Sequence, residues 1–352
     1  MEVVTAELVS NKKVLLRMDL DVAIQNGQVV DNFKIKVGIT TLKLCIQNAS
    51  KVIILGHLGR PFRNVGDEKK GKPKELSLKP IYEWLKKELG VEIEFADNLE
   101  QVQNSSSKII LLENTRFFHG EAPGPEYHNT CTSKTCDIDF ATKLASYGDI
   151  FVNEAFSAYH PAASTTMLPT ILPHAAGLRF ALEVEKLTEV RNNPKKPFVA
   201  IMGGAKVEDK LPVINVLANK ADAVLVGGKL VNEIREQNIH LPPNVMVGKL
   251  NEDGFDIAPE TVESWRNLIN GAAMIVWNGP LGKFEDPKND KTRKVGDIVT
   301  QSLAETIVGG GDIIAALNQA GLLEKISFVS VGGGAMLKLL VDGTLETIEA
   351  LA

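Results

Sequence analysis

Residues 198–210 read FVAIMGGAKVEDK, and the fold class follows from the change of character halfway along that stretch. Phe198 to Met202 is an unbroken apolar run of strand length, Gly203-Gly204 turns the chain, and a helix-like segment starts near Asp209. Lys206 and Lys210 stand where the positive end of a helix macrodipole disfavours cations. An anion removes that conflict: close backbone approach at glycine, free N–H groups at a helix start and two ammonium groups describe a phosphate site. The alternative is a surface turn with two solvated lysines, and the rest of the chain decides between them.

Downstream the same grammar recurs. AVLVGGK ends at Lys229, AMIVWNGPLGKFE at Glu285, TIVGGGD at Asp312 and FVSVGGGA at Ala335. Glycine clusters at successive strand ends let a ligand lie against backbone N–H groups, which favours a nucleotide over mere tight turning. Neither G-x-x-x-x-G-K-[ST] nor G-x-G-x-x-G occurs, so a P-loop and a standard dinucleotide fingerprint are unsupported. Upstream, KVLLRMDLDV, KVIILGHLGRP, KIILLENTRF and DIFVNEAFSAYH end in polar residues instead. With amphipathic stretches at 78–89 and 140–147 between them, they indicate parallel strands with helical crossovers. Their ends carry Asp19, Asp21, His57, Arg60, Asn114, Arg116, Asn153, Glu154 and His160, a set suited to a small anionic molecule.

The length of 352 residues exceeds what one core usually serves, so two domains are expected. Residues 1–175 are read as a domain for the small anionic molecule, 176–193 as a joining helix, and 194–338 as a nucleotide-binding domain. Both are read as doubly wound parallel α/β sheets, Rossmann-like, facing across a cleft. A net charge of −5 gives no bulk attraction to nucleic acid or acidic membranes, so any anion site is local. Cys45, Cys131 and Cys136 are too few and uneven for a disulfide framework and suit a reducing cytoplasm. No signal peptide or membrane span is read, and a monomer is expected. A basic half and a glycine-lined half together suggest phosphoryl transfer, which rests on alignment and neutralisation of the moving charge. Asp312, after a triple glycine, is the candidate carboxylate for Mg2+.

The segments RMDLDV, HLGRP, LLENTRF, FVNEAF, IMGGAKVEDK, VWNGPLGKFE, GGGD and GGGA, in this order, resemble phosphoglycerate kinase over essentially the whole chain. The resemblance implies reversible, Mg2+-dependent transfer between 1,3-bisphosphoglycerate and ADP, giving 3-phosphoglycerate and ATP, with hinge-bending closure and a tail at 339–352 that returns to complete the acid-substrate domain 1–175. It implies that Asp19, Asp21, Lys34, His57, Arg60, Arg116 and His160 line the acid site. Gly204, Lys206, Lys210, Gly228, Asn278, Pro280, Glu285, Gly311 and Asp312 would line the nucleotide site with ATP or ADP and Mg2+. Lys34, Lys206, Gly311 and Gly334 would serve the transfer itself, with Gly333 beside them.

The departures fall mostly on the acid side. Lys34 stands at the position of the family's catalytic arginine, keeping the charge without the planar two-pronged donor. Pro161 replaces a substrate arginine, and Asp21 replaces an asparagine, bringing a carboxylate that needs protonation or pairing beside an anion. Ile313 and Val331 replace threonines, removing two hydroxyls expected near the phosphates. The segment between Gly228 and Trp277 is shorter than in the family. These changes leave open a relative acting on another carboxylate or acyl phosphate, or a nucleotide-binding protein without catalysis.

Overall fold

The computed structural model describes residues 1–61, 71–121, 138–205 and 207–352. Lys206, Cys131 and Cys136 lie outside the described residues. The chain divides into two compact units, Met1–Val184 with Thr344–Ala352, and Glu185–Gly343. The division falls inside the helix Leu178–Asn192. Ala176, expected to open that helix, is instead the last residue of a strand, and the chain rejoins the first unit at Thr344 rather than 339.

In the first unit, β1 (Lys13–Arg17), β4 (Lys51–Leu55), β5 (Glu94–Ala96), β6 (Ile109–Leu112), β7 (Ile150–Asn153) and β8 (His174–Ala176) form one parallel sheet in the order β5-β6-β4-β1-β7-β8. β2 (Ile24–Gln25) and β3 (Gln28–Val29) make a separate antiparallel hairpin. In the second unit, β9 (Phe198–Met202), β10 (Ala223–Val226), β11 (Val245–Val247), β12 (Met274–Asn278), β13 (Glu305–Gly309) and β14 (Phe328–Ser330) are likewise parallel, in the order β11-β10-β9-β12-β13-β14.

The apolar runs become central strands because helices cover both sheet faces, so neither face of a strand meets water. All of β9 is buried, and one face of its sheet packs Val199, Ile201, Leu225, Ile275 and Trp277 against Val295, Val299, Ile313 and Leu317 from helices. In the first unit Val14, Leu16, Val52, Ile54, Leu111 and Val152 pack against Ile35, Leu42, Ile81 and Leu85 in the same way. Strand order reverses around β1 in one sheet and between β9 and β12 in the other. Loops leaving adjacent strands in opposite directions open a crevice at the carboxyl ends there, where open α/β sheets take ligands.

Candidate functional site

At the crevice of the first unit the organising residue is Arg17, the last residue of β1 and only 1% exposed. Its Nη1 donates to the Met18 carbonyl at 2.8 Å, its Nε to Ser164 Oγ at 2.9 Å, and its Nη2 lies 2.6 Å from His57 Nδ1. A guanidinium can only donate, so Nδ1 carries the lone pair and the ring proton sits on Nε2. Burial, then the charges of Arg17, Arg116, Lys34 and Arg60, hold His57 well below the usual histidine range. His57 is therefore a neutral Nε2–H donor. Ser164 passes the chain on: its hydroxyl donates to Glu121 Oε1 at 2.5 Å and its N–H to Oε2 at 3.0 Å. Burial lowers the Arg17 pKa, opposed by the charges of Glu121, Asp19 and Asp21.

Lys34, in the first turn of the helix Phe33–Asn48, places Nζ 3.7 Å from Asp19 Oδ1 and 3.3 Å from Ser157 Oγ. Asp19 Oδ2 accepts the Ser157 N–H at 3.2 Å, so the ends of β1 and β7 are joined here. Asp21, the carboxylate that needed a partner, has one: its Oδ1 accepts the Gly59 N–H at 2.9 Å, while Arg116 Nη1 donates to the Gly59 carbonyl at 2.7 Å. Gly59 has φ +61°, and a Cβ there would come within 2.7 Å of Leu76, so the loop carrying Arg60 is held in a shape only glycine suits. Arg60 itself is exposed, and His160 is exposed with its ring 4.1 Å from that of Tyr159.

Three strand-end residues serve the fold. Asn114 donates to the carbonyls of Leu58 and Leu76 at 2.8 and 2.9 Å, and Asn153 accepts the Ala155 N–H at 3.0 Å. Glu154, fully enclosed, receives the Arg179 and Phe180 N–H groups at 3.1 and 3.2 Å and the Thr41 hydroxyl at 2.7 Å, capping the helix Leu178–Asn192. Arg17, Glu121 and Ser164 were not anticipated as site residues. The one available signal was a charge ending an apolar run at Arg17.

In the second unit the loops after β9, β10 and β12 touch backbone to backbone. A Cβ on Gly203 would lie 2.2 Å from the Pro280 carbonyl, and one on Gly228 3.0 Å from the Gly204 nitrogen. Gly204 N–H donates to the Pro280 carbonyl at 2.8 Å. Lys210, in the helix Val207–Ala218, donates to Asn278 Oδ1, and Asn278 Nδ2 donates to the Gly309 carbonyl. Asn278 thus ties β9's helix to β13. Beyond it, the helices Gly311–Gln319 and Gly333–Asp342 begin side by side, for a Cβ on Gly333 would lie 2.6 Å from Gly310 Cα. Their first N–H groups lack intrahelical acceptors, and Gly311 and Gly334 are exposed, so two positive helix ends are offered to one anion. Asp312 is exposed in the first of these turns. Ile313 is 0% and Val331 5% exposed, so both side chains belong to the interior and the donors at this end are backbone groups. Glu285 is exposed on the loop after β12.

The sequence profile of the phosphoglycerate kinase family matches residues 4–241 and 236–343. The phosphoglycerate kinase of Thermosipho africanus is 35% identical over 402 aligned residues, covering 97% of this chain and 95% of that protein. That of Finegoldia magna is 33% identical, covering 97% of each. Among solved structures, the phosphoglycerate kinase of Coxiella burnetii matches with TM-score 0.77 and 30% identity over 97% of this chain and 96% of that one. The enzyme of Pyrococcus horikoshii matches with TM-score 0.81 and 25% identity over the same shares.

Proposed function

The chain belongs to the phosphoglycerate kinase family, and we propose that it transfers a phosphoryl group reversibly between 1,3-bisphosphoglycerate and ADP, giving 3-phosphoglycerate and ATP. The observation that carries this reading is the pairing of site types: a neutral histidine set among Arg17, Arg60, Arg116 and Lys34 in one unit, and glycine-lined strand ends with two helix starts in the other. The first set suits a phosphorylated carboxylate. Arg60 and Arg116 supply charge, His57 Nε2–H a directed donor, and Asp19 an acceptor for a substrate hydroxyl. The second suits nucleotide phosphates, with Gly311, Gly334 and Lys210 toward them and Gly204, Gly228, Pro280 and Glu285 toward the nucleoside. Lys206 is assigned to the moving phosphoryl from its place in the motif.

Mg2+, when bound with the nucleotide, neutralises phosphate oxygens, and the Asp312 carboxylate would hold it. A single exposed hard oxygen donor fits a cation that takes its other ligands from phosphate and water. Transfer to an acid rather than to water requires solvent exclusion, so closure of the units on binding both substrates belongs to the reading. It also carries a cytoplasmic, monomeric enzyme.

A coupled assay with ATP, Mg2+ and 3-phosphoglycerate tests the chemistry. Turnover is expected, with Lys210→Ala lowering kcat/KM about 10²–10³-fold, the usual cost of one charge-stabilising contact. A wild-type rate no higher than that variant's overturns the reading. For closure, small-angle scattering should show the radius of gyration falling only when nucleotide and acid are both present. An equal fall with nucleotide alone counts against it.

A further inference from the structure

Glu121 is a carboxylate in an enclosed position, 1% exposed and too deep to touch a substrate. Backbone groups fix it there. Its carbonyl accepts the Ala163 N–H at 2.8 Å and its Oε2 the Ser164 N–H at 3.0 Å, so the loop after β6 is fastened to the turn Ala163–Met167. The other oxygen, Oε1, accepts the Ser164 hydroxyl at 2.5 Å. Ser164 is wholly buried as well, and its Oγ accepts from Arg17 Nε at 2.9 Å.

Each bond in this chain has one possible direction. A guanidinium only donates, so the Ser164 oxygen is the acceptor toward Arg17, and its single proton is committed to the Glu121 carboxylate. At the far end Arg17 Nη2 donates to His57 Nδ1 at 2.6 Å, which leaves the ring proton on Nε2. The polarity thus runs unbroken from Glu121 through Ser164 and Arg17 to the His57 ring. With Nη1 on the Met18 carbonyl at 2.8 Å, all three nitrogens of the planar fork are pinned.

The charges are arranged to match. Arg17 and Arg116 are close enough that the charge of one disfavours that of the other. Asp19 is engaged by Lys34 and the Ser157 N–H, and Asp21 by the Gly59 N–H. Glu121 is the largest of the charges that offset the burial of Arg17. A buried ion pair contributes little net stability over apolar packing of the same volume, so what this one supplies is direction.

We propose that Glu121 and Ser164 are positioning residues of the acid site: from out of reach of the substrate they hold the Arg17 fork so that His57 presents Nε2–H to the bound acid. The inference rests on the acid-site reading above. Without the Ser164 hydroxyl, Arg17 Nε–H loses its acceptor, the fork turns toward Glu121, and Nδ1 is no longer kept unprotonated.

Nitrogen NMR of the imidazole rings in the wild type, Ser164→Ala and Glu121→Gln reads the tautomer without any turnover, with the His57 signals identified by their loss in His57→Gln. The wild-type ring should carry its proton on Nε2 from about pH 6 to 8, and both variants should gain a population protonated on Nδ1. In the coupled assay the KM for 3-phosphoglycerate should rise about tenfold in both, with kcat within about twofold, as when one oriented hydrogen bond made equally in ground and transition states is lost. Calorimetry should show ADP affinity within about twofold of wild type. A wild-type ring protonated on Nδ1 overturns the inference, as does an Nε2–H tautomer that persists in both variants or a KM that does not move. A joint loss of kcat, acid affinity and ADP affinity also overturns it, because a merely structural part behaves that way. A wild type with no turnover of 3-phosphoglycerate overturns the acid reading itself, and the tautomer result then decides separately whether Glu121 and Ser164 hold His57.

Discussion

Lys34 is held by groups of its own unit: its ammonium lies between Asp19 and Ser157 and offsets the Asp19 carboxylate charge. An arginine there could keep one N–H on Asp19 and aim a second outward, because its donors are spread over a planar fork. Pro161, just ahead of the turn Ala163–Met167, offers no charge at all. Lys34→Arg combined with Pro161→Arg should therefore raise kcat/KM for the acid, measured in the coupled assay. An unchanged or lower rate in a folded double variant would mean that the pocket is shaped around Lys34. The positions of Arg60 and Arg116 could be read from motif order, since charges just past apolar runs sit at strand ends, whereas Lys34 opens the helix Phe33–Asn48 and is reached only through the family resemblance. Arg17 and Glu121 could not. A strand-terminal arginine looks like any residue leaving a core, and its partners His57, Ser164 and Glu121 come from distant stretches that only the fold brings together.

At the scale of elements, the helix Leu178–Asn192 starts on a buried carboxylate. Glu154 is enclosed by Thr41, Gly38 and the first N–H groups of that helix, with the Arg179 charge and the Cys45 thiol nearby. Burial pushes its pKa up to about 7 despite those hydrogen bonds. Because the folded value exceeds the ordinary 4.5, the folded state holds the proton more tightly. The stabilisation is complete below about pH 4.5, declines across the window to about 7, and is absent above it. Glu154→Gln, which cannot ionise, should remove that component. The unfolding free energy of wild type relative to the variant is expected to fall by about 3 kcal/mol from pH 4.5 to 8, followed by urea titration. A pH-independent difference would show that the N–H groups hold the carboxylate ionised throughout. The helix could be read from its apolar spacing and the long strands from their apolar runs. β5, β8 and β11 could not, because each has three residues and shows no period.

For the whole molecule, the return of the chain to its first unit links stability to the crevice at the end of β1. Beyond Gly343 the tail places Leu345 and Leu351 at 1% exposure and Thr347 at 0%, and its short helix Glu346–Ala350 packs on the turn Ala163–Met167. That turn carries Ser164, through which Arg17 and Glu121 are connected, and Arg17 in turn fixes the His57 tautomer. Burying two leucines contributes about 3–6 kcal/mol, comparable to the net stability of a domain, so the tail is not a passive end. Leu351→Ala should cost about 2–5 kcal/mol through the cavity it leaves. Its functional effect should be unequal: KM for the acid rises as the Ser164 turn loosens, while ADP affinity, set in the unit Glu185–Gly343, stays within about twofold. Steady-state kinetics with the acid varied, beside calorimetry with ADP, separates the two. Loss of ADP affinity in step with the acid would mean that the tail supports both units alike, and a normal KM in a destabilised variant would detach the Ser164 turn from substrate binding.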